Sequence, residues 1–156
     1  MPTITVTVDT RVPAQTVLES VRDFTARRSD VFPAVEPAHF EVHGVDRQTA
    51  DATEGTGTGI GTSWERCDYD WSTPGSVTAT VTDSNVYAPG SSWRLTAMPT
   101  AGGSRVEMSW VRCFKHNPRG ILFGTAFRIV GRPIFRKYAK QIVANLESLE
   151  ASARAE

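Results

Sequence analysis

The fold is decided by residues 105–149, RVEMSWVRCFKHNPRGILFGTAFRIVGRPIFRKYAKQIVANLESL, where the periodicity of the apolar side chains changes. Over residues 105–115 apolar and polar residues alternate, which is the pattern of a strand that buries one face. From Arg119 onward the spacing becomes helical, with an apolar stripe of Leu122, Ala126, Ile129, Ile134, Tyr138, Ile142, Leu146 and Leu149. This stretch therefore predicts a last strand followed by one long C-terminal helix.

One proline lies inside the predicted helix. Pro133 has no backbone N–H and its ring crowds the preceding turn of a helix. We therefore expect a kink or a break near Gly131 to Pro133.

The segments upstream predict further antiparallel strands. Ile4, Val6 and Val8 alternate with polar residues, and a short helix is expected after Pro13, which can occupy the first helical position. Alternation or turn signals then mark four more strands, around Phe40 and Val42 and over residues 62–71, 76–83 and 92–98. The order indicates an α+β fold with a meandering antiparallel sheet.

Glycine recurs at every second position between two of these strands. Gly55, Gly57, Gly59 and Gly61 do not match a dinucleotide-binding fingerprint, which needs different spacing and a following helix. The polar residues 46–51 predict a turn before this run. The run itself predicts either a mobile hairpin loop at the mouth of a cavity or a flexible turn without a role.

Length and charge limit the possible classes of protein. The chain has 156 residues, the size of one domain, so residues 1–156 are expected to form a single domain. Its 17 basic and 17 acidic residues balance, which gives no overall field for nucleic acid. No secretory signal or membrane span is recognisable, and two distant cysteines suit a reducing compartment. A soluble, cytoplasmic protein is expected.

The order of elements resembles the START-like superfamily of polyketide cyclases/dehydrases and lipid-transport proteins, which have the helix-grip fold. The resemblance is carried by the segments VTVDTRVPA (6–14), GIGTSW (59–64), WRLT (93–96) and GGSRV (102–106), and it covers nearly the whole chain. It implies a curved antiparallel sheet wrapped around the C-terminal helix, with short helices after strand one. It also implies a cavity between sheet and helix for a lipid, a polyketide or a similar apolar molecule.

Three polar residues are weak candidates for catalysis in such a cavity. Arg112 is the charged member of an otherwise apolar strand face, so it needs a carboxylate, a carbonyl or a ligand anion. Glu65 and Tyr69 share the predicted inward face of residues 62–71, whereas Trp64 and the more charged set face water. Glu65 and Arg112 are therefore expected to pair inside or beside the cavity, either as an acid–base site or as a structural ion pair.

Large side chains on the sheet and helix are candidates for the cavity wall. An aromatic wall suits a planar or ring-containing molecule, although the same spacing is also typical of plain core. The candidate ligand-binding residues are Trp71, Trp93, Met108, Trp110, Arg112, Phe127 and Tyr138.

No metal site or cofactor is predicted. His39 and His43 lie on the solvent side of one strand about 13 Å apart, too far to share an ion. Basic residues from Lys115 to Lys140 accompany Ile121, Leu122 and Phe123, which leaves open a transient contact with an anionic membrane or simply a solvated helix face.

Three functions remain open at this point. The chain binds a small apolar molecule as a carrier or sensor, or it is a cyclase or dehydratase that acts on a polyketide-like substrate in the same cavity, or it is a regulatory protein-interaction module. Whether it is an enzyme, which ligand it takes and which oligomeric state it adopts are not determined by these patterns.

Overall fold

The computed structural model describes residues 2–58 and 61–156. These residues form seven strands and three α-helices, with one short 3₁₀ turn at Pro37–His39. The elements in chain order are β1 (Thr3–Thr10), α1 (Ala14–Val21), α2 (Arg28–Val31), β2 (Phe40–Val45), β3 (Thr49–Thr58), β4 (Gly61–Asp70), β5 (Ser76–Ser84), β6 (Ser92–Thr100), β7 (Gly103–Val111) and α3 (Pro118–Ala155).

The strands form one curved antiparallel sheet in the order β1-β7-β6-β5-β4-β3-β2. Strands that are neighbours in the sheet are also consecutive in sequence, with one exception. The exception is β1, which pairs with β7 from Thr3↔Val111 to Thr10↔Ser104. The N-terminal strand therefore joins the far edge of the meander, next to the strand that leads into α3. The predicted α+β helix-grip architecture is confirmed, including the short helices after strand one.

The main core lies between the sheet and the helices. The inner face of α1 contributes Val17, Leu18 and Val21, all buried. The C-terminal half of α3 contributes Ile142 and Leu146, which are also buried. Each such side chain contributes about 1.5–3 kcal/mol when it leaves water, so these two faces fix the helices on the sheet.

The long helix differs from its prediction in two ways. It begins at the Asn117 cap, whose side chain accepts a 2.7 Å hydrogen bond from the Gly120 amide, and it continues through Pro133, so the break that was one of the two alternatives predicted there is absent. The predicted apolar stripe is buried only in the second half of the helix. In the first half Leu122, Ala126, Ile129 and Ile134 are exposed, because glycines take the inner positions.

The glycine run is largely strand, which corrects the predicted loop. Gly55 and Gly57 lie within β3, and β3 already begins at Thr49, inside the segment predicted to turn. Small residues are required there, since a Cβ on Gly55 would lie 3.0 Å from the His39 Cβ and 3.1 Å from the Trp64 Cβ. Gly59 and Ile60, which belong to the predicted cavity-mouth loop, lie outside the described residues.

Neither cysteine of the described chain is in a disulfide; Cys67 is buried and Cys113 is half-buried. Within residues 2–58 and 61–156, no helix has the length and apolar character needed to cross a membrane.

Candidate functional site

A cavity of about 230 Å³ lies between the sheet and α3. Its wall is built by five parts of the chain, namely the segment after α2, the hairpin β3–β4, the connection between β5 and β6, the strands β6 and β7 with the residue that follows β7, and the middle of α3. The lining residues are Phe32, Ala34, Val35, Glu54, Gly55, Thr56, Ser63, Trp64, Glu65, Tyr87, Trp93, Met108, Trp110, Arg112, Ile134, Phe135, Tyr138 and Ile142. The wall is therefore mostly apolar and aromatic, with a small number of charged groups.

One buried ion pair belongs to the wall. The Arg112 guanidinium donates from Nη1 to Glu65 Oε2 at 2.9 Å and from Nη2 to Oε1 at 3.4 Å. The two side chains are only 5% and 17% exposed, respectively. Burial opposes the charge on Arg112, yet Glu65 and Tyr87 raise its pKa above the ordinary value. The guanidinium, which also lies 4.2 Å from the Tyr87 ring centroid, is therefore permanently charged.

A second ion pair lies beside the first and was not predicted from the sequence. Arg28 of α2 is fully buried, donates from Nε to Glu54, and donates from Nη1 to the Val21 carbonyl at 2.8 Å. Burial opposes its charge too, but Glu54 and Tyr69 raise the pKa of Arg28. Its guanidinium lies within 5.0 Å of the ring centroids of Phe24, Phe32 and Tyr69.

The two carboxylates are direct neighbours across the sheet. Glu54 of β3 and Glu65 of β4 are paired residues in the antiparallel register, and both line the cavity. Like charges at directly opposed positions of two strands repel one another. The two carboxylates can nevertheless lie side by side, because each of them is paired with its own buried arginine. Arg28 approaches from α2 and Arg112 from the end of β7, which leaves two acidic groups side by side in the cavity wall.

Two buried donors in these pairs have no hydrogen-bond partner among the described residues. They are Nε of Arg112 and Nη2 of Arg28. A buried donor without an acceptor costs about 1–3 kcal/mol, so each of these two arginines carries an uncompensated polar group.

The tyrosines of the wall are protonated at neutral pH. Burial is the first cause that raises the pKa of Tyr138 and of Tyr87 above the ordinary value of a phenol. Their hydroxyl groups can therefore donate as well as accept hydrogen bonds. Within the described residues no group of three His, Cys, Asp or Glu side chains could hold a metal ion.

The structure brings together most of the predicted site residues. Trp93, Met108, Trp110, Arg112 and Tyr138 line the cavity, and so does Glu65. The predicted pairing of Glu65 with Arg112 is present.

Three predicted residues lie outside the cavity wall. The Trp71 ring stacks on Phe24 with centroids 6.1 Å apart, at the far end of the sheet. Phe127 packs between two other phenylalanines, and Tyr69 is buried against the Arg28 guanidinium. Alternation places a side chain on the correct face of the sheet, but it does not say how far along the sheet the cavity extends.

Several wall residues were missed. Trp64 was assigned to the solvent face, yet it lines the cavity together with Glu65, close to a register shift between Arg66 and Cys67. Glu54 follows Ala50 and Ala52 at every second position, and this inward alternation was the available signal.

The comparisons with known proteins fit this architecture. No family model matches the chain, and no curated protein does. A solved structure of a protein from Thermus thermophilus is similar with a TM-score of 0.76 and 13% identity, covering 97% of this chain and 99% of that one. The Zhui aromatase/cyclase from Streptomyces sp. R1128 is similar with a TM-score of 0.73 and 12% identity, covering 94% of this chain and 93% of that one.

A START superfamily protein from Mycobacterium smegmatis is similar as well, with a TM-score of 0.71, 12% identity, and coverage of 94% of this chain and 98% of that one. At such low identity these likenesses concern the fold. The chain has the helix-grip fold of START and polyketide-cyclase proteins.

Proposed function

We propose that residues 1–156 form one domain that binds a small, largely apolar molecule in the cavity, as a carrier or sensor. The observation that carries this proposal is the aromatic cavity of about 230 Å³ with the buried Glu65–Arg112 pair in its wall. A cavity that is apolar apart from a few fixed polar groups is the usual form of a small-molecule site.

The geometry restricts the chemistry of the ligand. Trp93, Trp110 and Phe135 offer ring faces and edges, which favour a planar or ring-containing molecule. The volume lies below the roughly 300–1,000 Å³ of common drug-sized sites, so the ligand is small. The charged Glu65 and Arg112 side chains in the wall favour a polar group at one end of the ligand.

The proposal is tested by filling part of the cavity with a larger side chain. Ala34 is half-buried in the cavity wall, so Ala34→Trp is expected to fill part of the cavity without rebuilding the core. Ala38→Trp is the matched control, since Ala38 is exposed and outside the wall. Native mass spectrometry of the purified protein, with uptake of an environment-sensitive apolar dye, is expected to show occupancy that only Ala34→Trp abolishes. Equal dye uptake by both variants would count against the cavity as the site.

A second function, a cyclase or dehydratase of polyketide-like substrates, is favoured by one specific observation. Glu54 and Glu65 stand side by side in the wall, and a pair of carboxylates can remove and return protons. One of the similar structures, the Zhui protein, is described as an aromatase/cyclase. Arg112 would stabilise negative charge on a substrate oxygen. Tyr69, the third residue considered for this role, is outside the wall and is no longer part of the proposal.

The two functions differ in how they respond to an isosteric change. Glu54→Gln retains the shape of the wall, and a carrier is expected to keep most of its dye affinity after that change. An enzyme is expected to lose turnover of a linear poly-β-ketone by orders of magnitude while binding is retained. Absence of turnover in the unmodified protein, with ligand bound, favours the carrier.

The interaction-module hypothesis is weakened by the open space in the cavity. A cytoplasmic location, which two free cysteines suit, and transient contact with a membrane surface belong to the carrier proposal, because a carrier must load and release its ligand.

A further inference from the structure

The first half of α3 turns its apolar side chains outward. Its buried positions are Gly120, Gly124 and Gly131. Large aliphatic residues lie on the opposite side, where Ile129 is 75% exposed and Leu122 is 50% exposed. A helix that packs on a core normally shows the reverse arrangement, so this half exposes apolar surface that the rest of the described chain does not cover.

Glycine on the inner side permits close packing of the helix. A Cβ on Gly124 would lie 3.2 Å from the Phe114 ring, and one on Gly131 would lie 3.0 Å from the Ile4 Cδ1. The helix therefore lies close against β1 and the segment that follows β7, and its aliphatic residues lie on the outer side.

Basic residues accompany this apolar surface. Residues 118–146 contain no acidic residue. Arg128, Arg132 and Arg136 follow one another at four-residue spacing and form a row on one flank of the exposed aliphatic side chains. Lys137 and Lys140 extend the positive surface, and none of these five side chains forms an ion pair within the described part of the chain.

We propose that this outer face, formed by Leu122, Ile129 and Val130 with the basic residues from Arg128 to Lys140, docks on an anionic lipid bilayer. An interfacial helix has these two properties, apolar side chains that enter the acyl boundary and cations at the level of the headgroups. A second copy of the chain is disfavoured, because it would bring one acid-free basic face against another.

The docking face borders the cavity but does not depend on its ligand. Ile134 is 55% exposed and also lines the cavity, so the bilayer would lie directly beside the cavity wall. The inference rests on the proposed function, which includes transient membrane contact, and deepens it by naming the face and the lipid charge; its test is separate, since a protein with an empty cavity could still dock.

The test is co-sedimentation of the full chain with vesicles of phosphatidylcholine, with and without phosphatidylglycerol. Binding is expected only with phosphatidylglycerol and is expected to weaken as salt rises. The triple variant Arg128→Gln, Arg132→Gln, Arg136→Gln is expected to bind about a hundredfold more weakly, since each basic residue contributes roughly fivefold. The control triple Arg11→Gln, Arg27→Gln, Arg94→Gln, which removes three exposed arginines outside α3, is expected to bind as the unmodified chain does.

The apolar part is tested separately with Ile129→Gln and its control Val45→Gln, at a site that is 57% exposed on β2. Only Ile129→Gln is expected to reduce sedimentation with anionic vesicles. No binding to anionic vesicles, or equal losses in test and control variants, would overturn the proposal. Dimers in analytical ultracentrifugation that Ile129→Gln dissociates would also overturn it, in favour of a second copy. Dye uptake in the same variants is expected to be unchanged, which separates this result from the cavity proposal.

Discussion

Removal of the Glu65 carboxylate is expected to destabilise the protein far more than removal of the whole Glu65–Arg112 pair. The Arg112 side chain is 5% exposed and loses both of its hydrogen-bonded carboxylate oxygens in Glu65→Leu. A buried charge left without its partner costs about 3–5 kcal/mol. For a chain of this length each kcal/mol shifts Tm by about 2–4 °C, so a fall of roughly 10 °C is expected.

The double variant Glu65→Leu, Arg112→Met removes both charges and fills the space with apolar atoms. Its free energy of unfolding is expected to lie within about 1 kcal/mol of the unmodified protein, because the desolvation cost of both ions disappears with the attraction between them. The double variant also loses the stacking of the Arg112 guanidinium on Tyr87, so its free energy of unfolding is not expected to rise much above that of the unmodified protein.

A double-mutant cycle measures the coupling energy of the pair. It compares urea unfolding of the unmodified protein, the single variants Glu65→Leu and Arg112→Met, and the double variant. The surface pair Asp9–Arg105 is the control, since its side chains are 65% and 53% exposed and its coupling is expected to be near the limit of detection. If the double variant at Glu65 and Arg112 lost the sum of the two single losses, the pair would not act as a desolvated unit, and this reasoning would be refuted.

Three further outcomes follow from individual positions. Gly120→Ala is expected to cost about 1–3 kcal/mol in urea unfolding although alanine favours helices, because its Cβ would lie 1.9 Å from the Lys115 carbonyl oxygen. Gly44→Ala, with nothing within 4 Å of the added Cβ, is its near-neutral control, and equal effects would contradict the packing argument. Pro133→Ala is expected to stabilise the helix by up to about 3 kcal/mol and so to raise Tm, and a lower Tm would show that the proline is needed there. Burial raises the pKa of the Cys67 thiol well above its usual range, so mass spectrometry should find it alkylated only after denaturation, even at mildly alkaline pH. Rapid alkylation in the native protein would mean that the site opens.

Alternation was sufficient to predict the strands with β-branched and aromatic residues. β1 and β7 were recognisable because every second side chain is apolar, and the same rule placed Glu65 and Arg112 on the inner face. The pairing of these two residues could be predicted, since a charge on an apolar face needs a partner. The period of a strand is two, so the face of a residue follows from its register alone.

The strand β3 could not be recognised from its residues. Gly55 and Gly57 have low intrinsic preference for a strand, and the polar residues before them predict a turn. Pairing with β2 on one side and β4 on the other overrides that preference. Because β3 was missed, Glu54, one of the three charged residues of the wall, was missed together with its partner Arg28.

Helical periodicity likewise predicts a stripe but not its surroundings. Leu122 and Ile129 follow the spacing of a buried face, and only the closeness of the backbone at Gly124 and Gly131 directs them to the outside. Packing distance is a property of two elements together, and a single sequence window contains just one of them.

Stability alone does not explain two adjacent ion pairs in an aromatic cavity. Well-packed apolar residues in place of a buried pair are often neutral or stabilising, and Glu54 and Glu65 also repel one another across the strands. The arrangement moreover leaves one donor on each arginine unsatisfied. Polar contacts between a ligand and the charged residues of the wall, Glu54, Glu65 and Arg112, would offset part of this cost, which is what the proposed binding function provides.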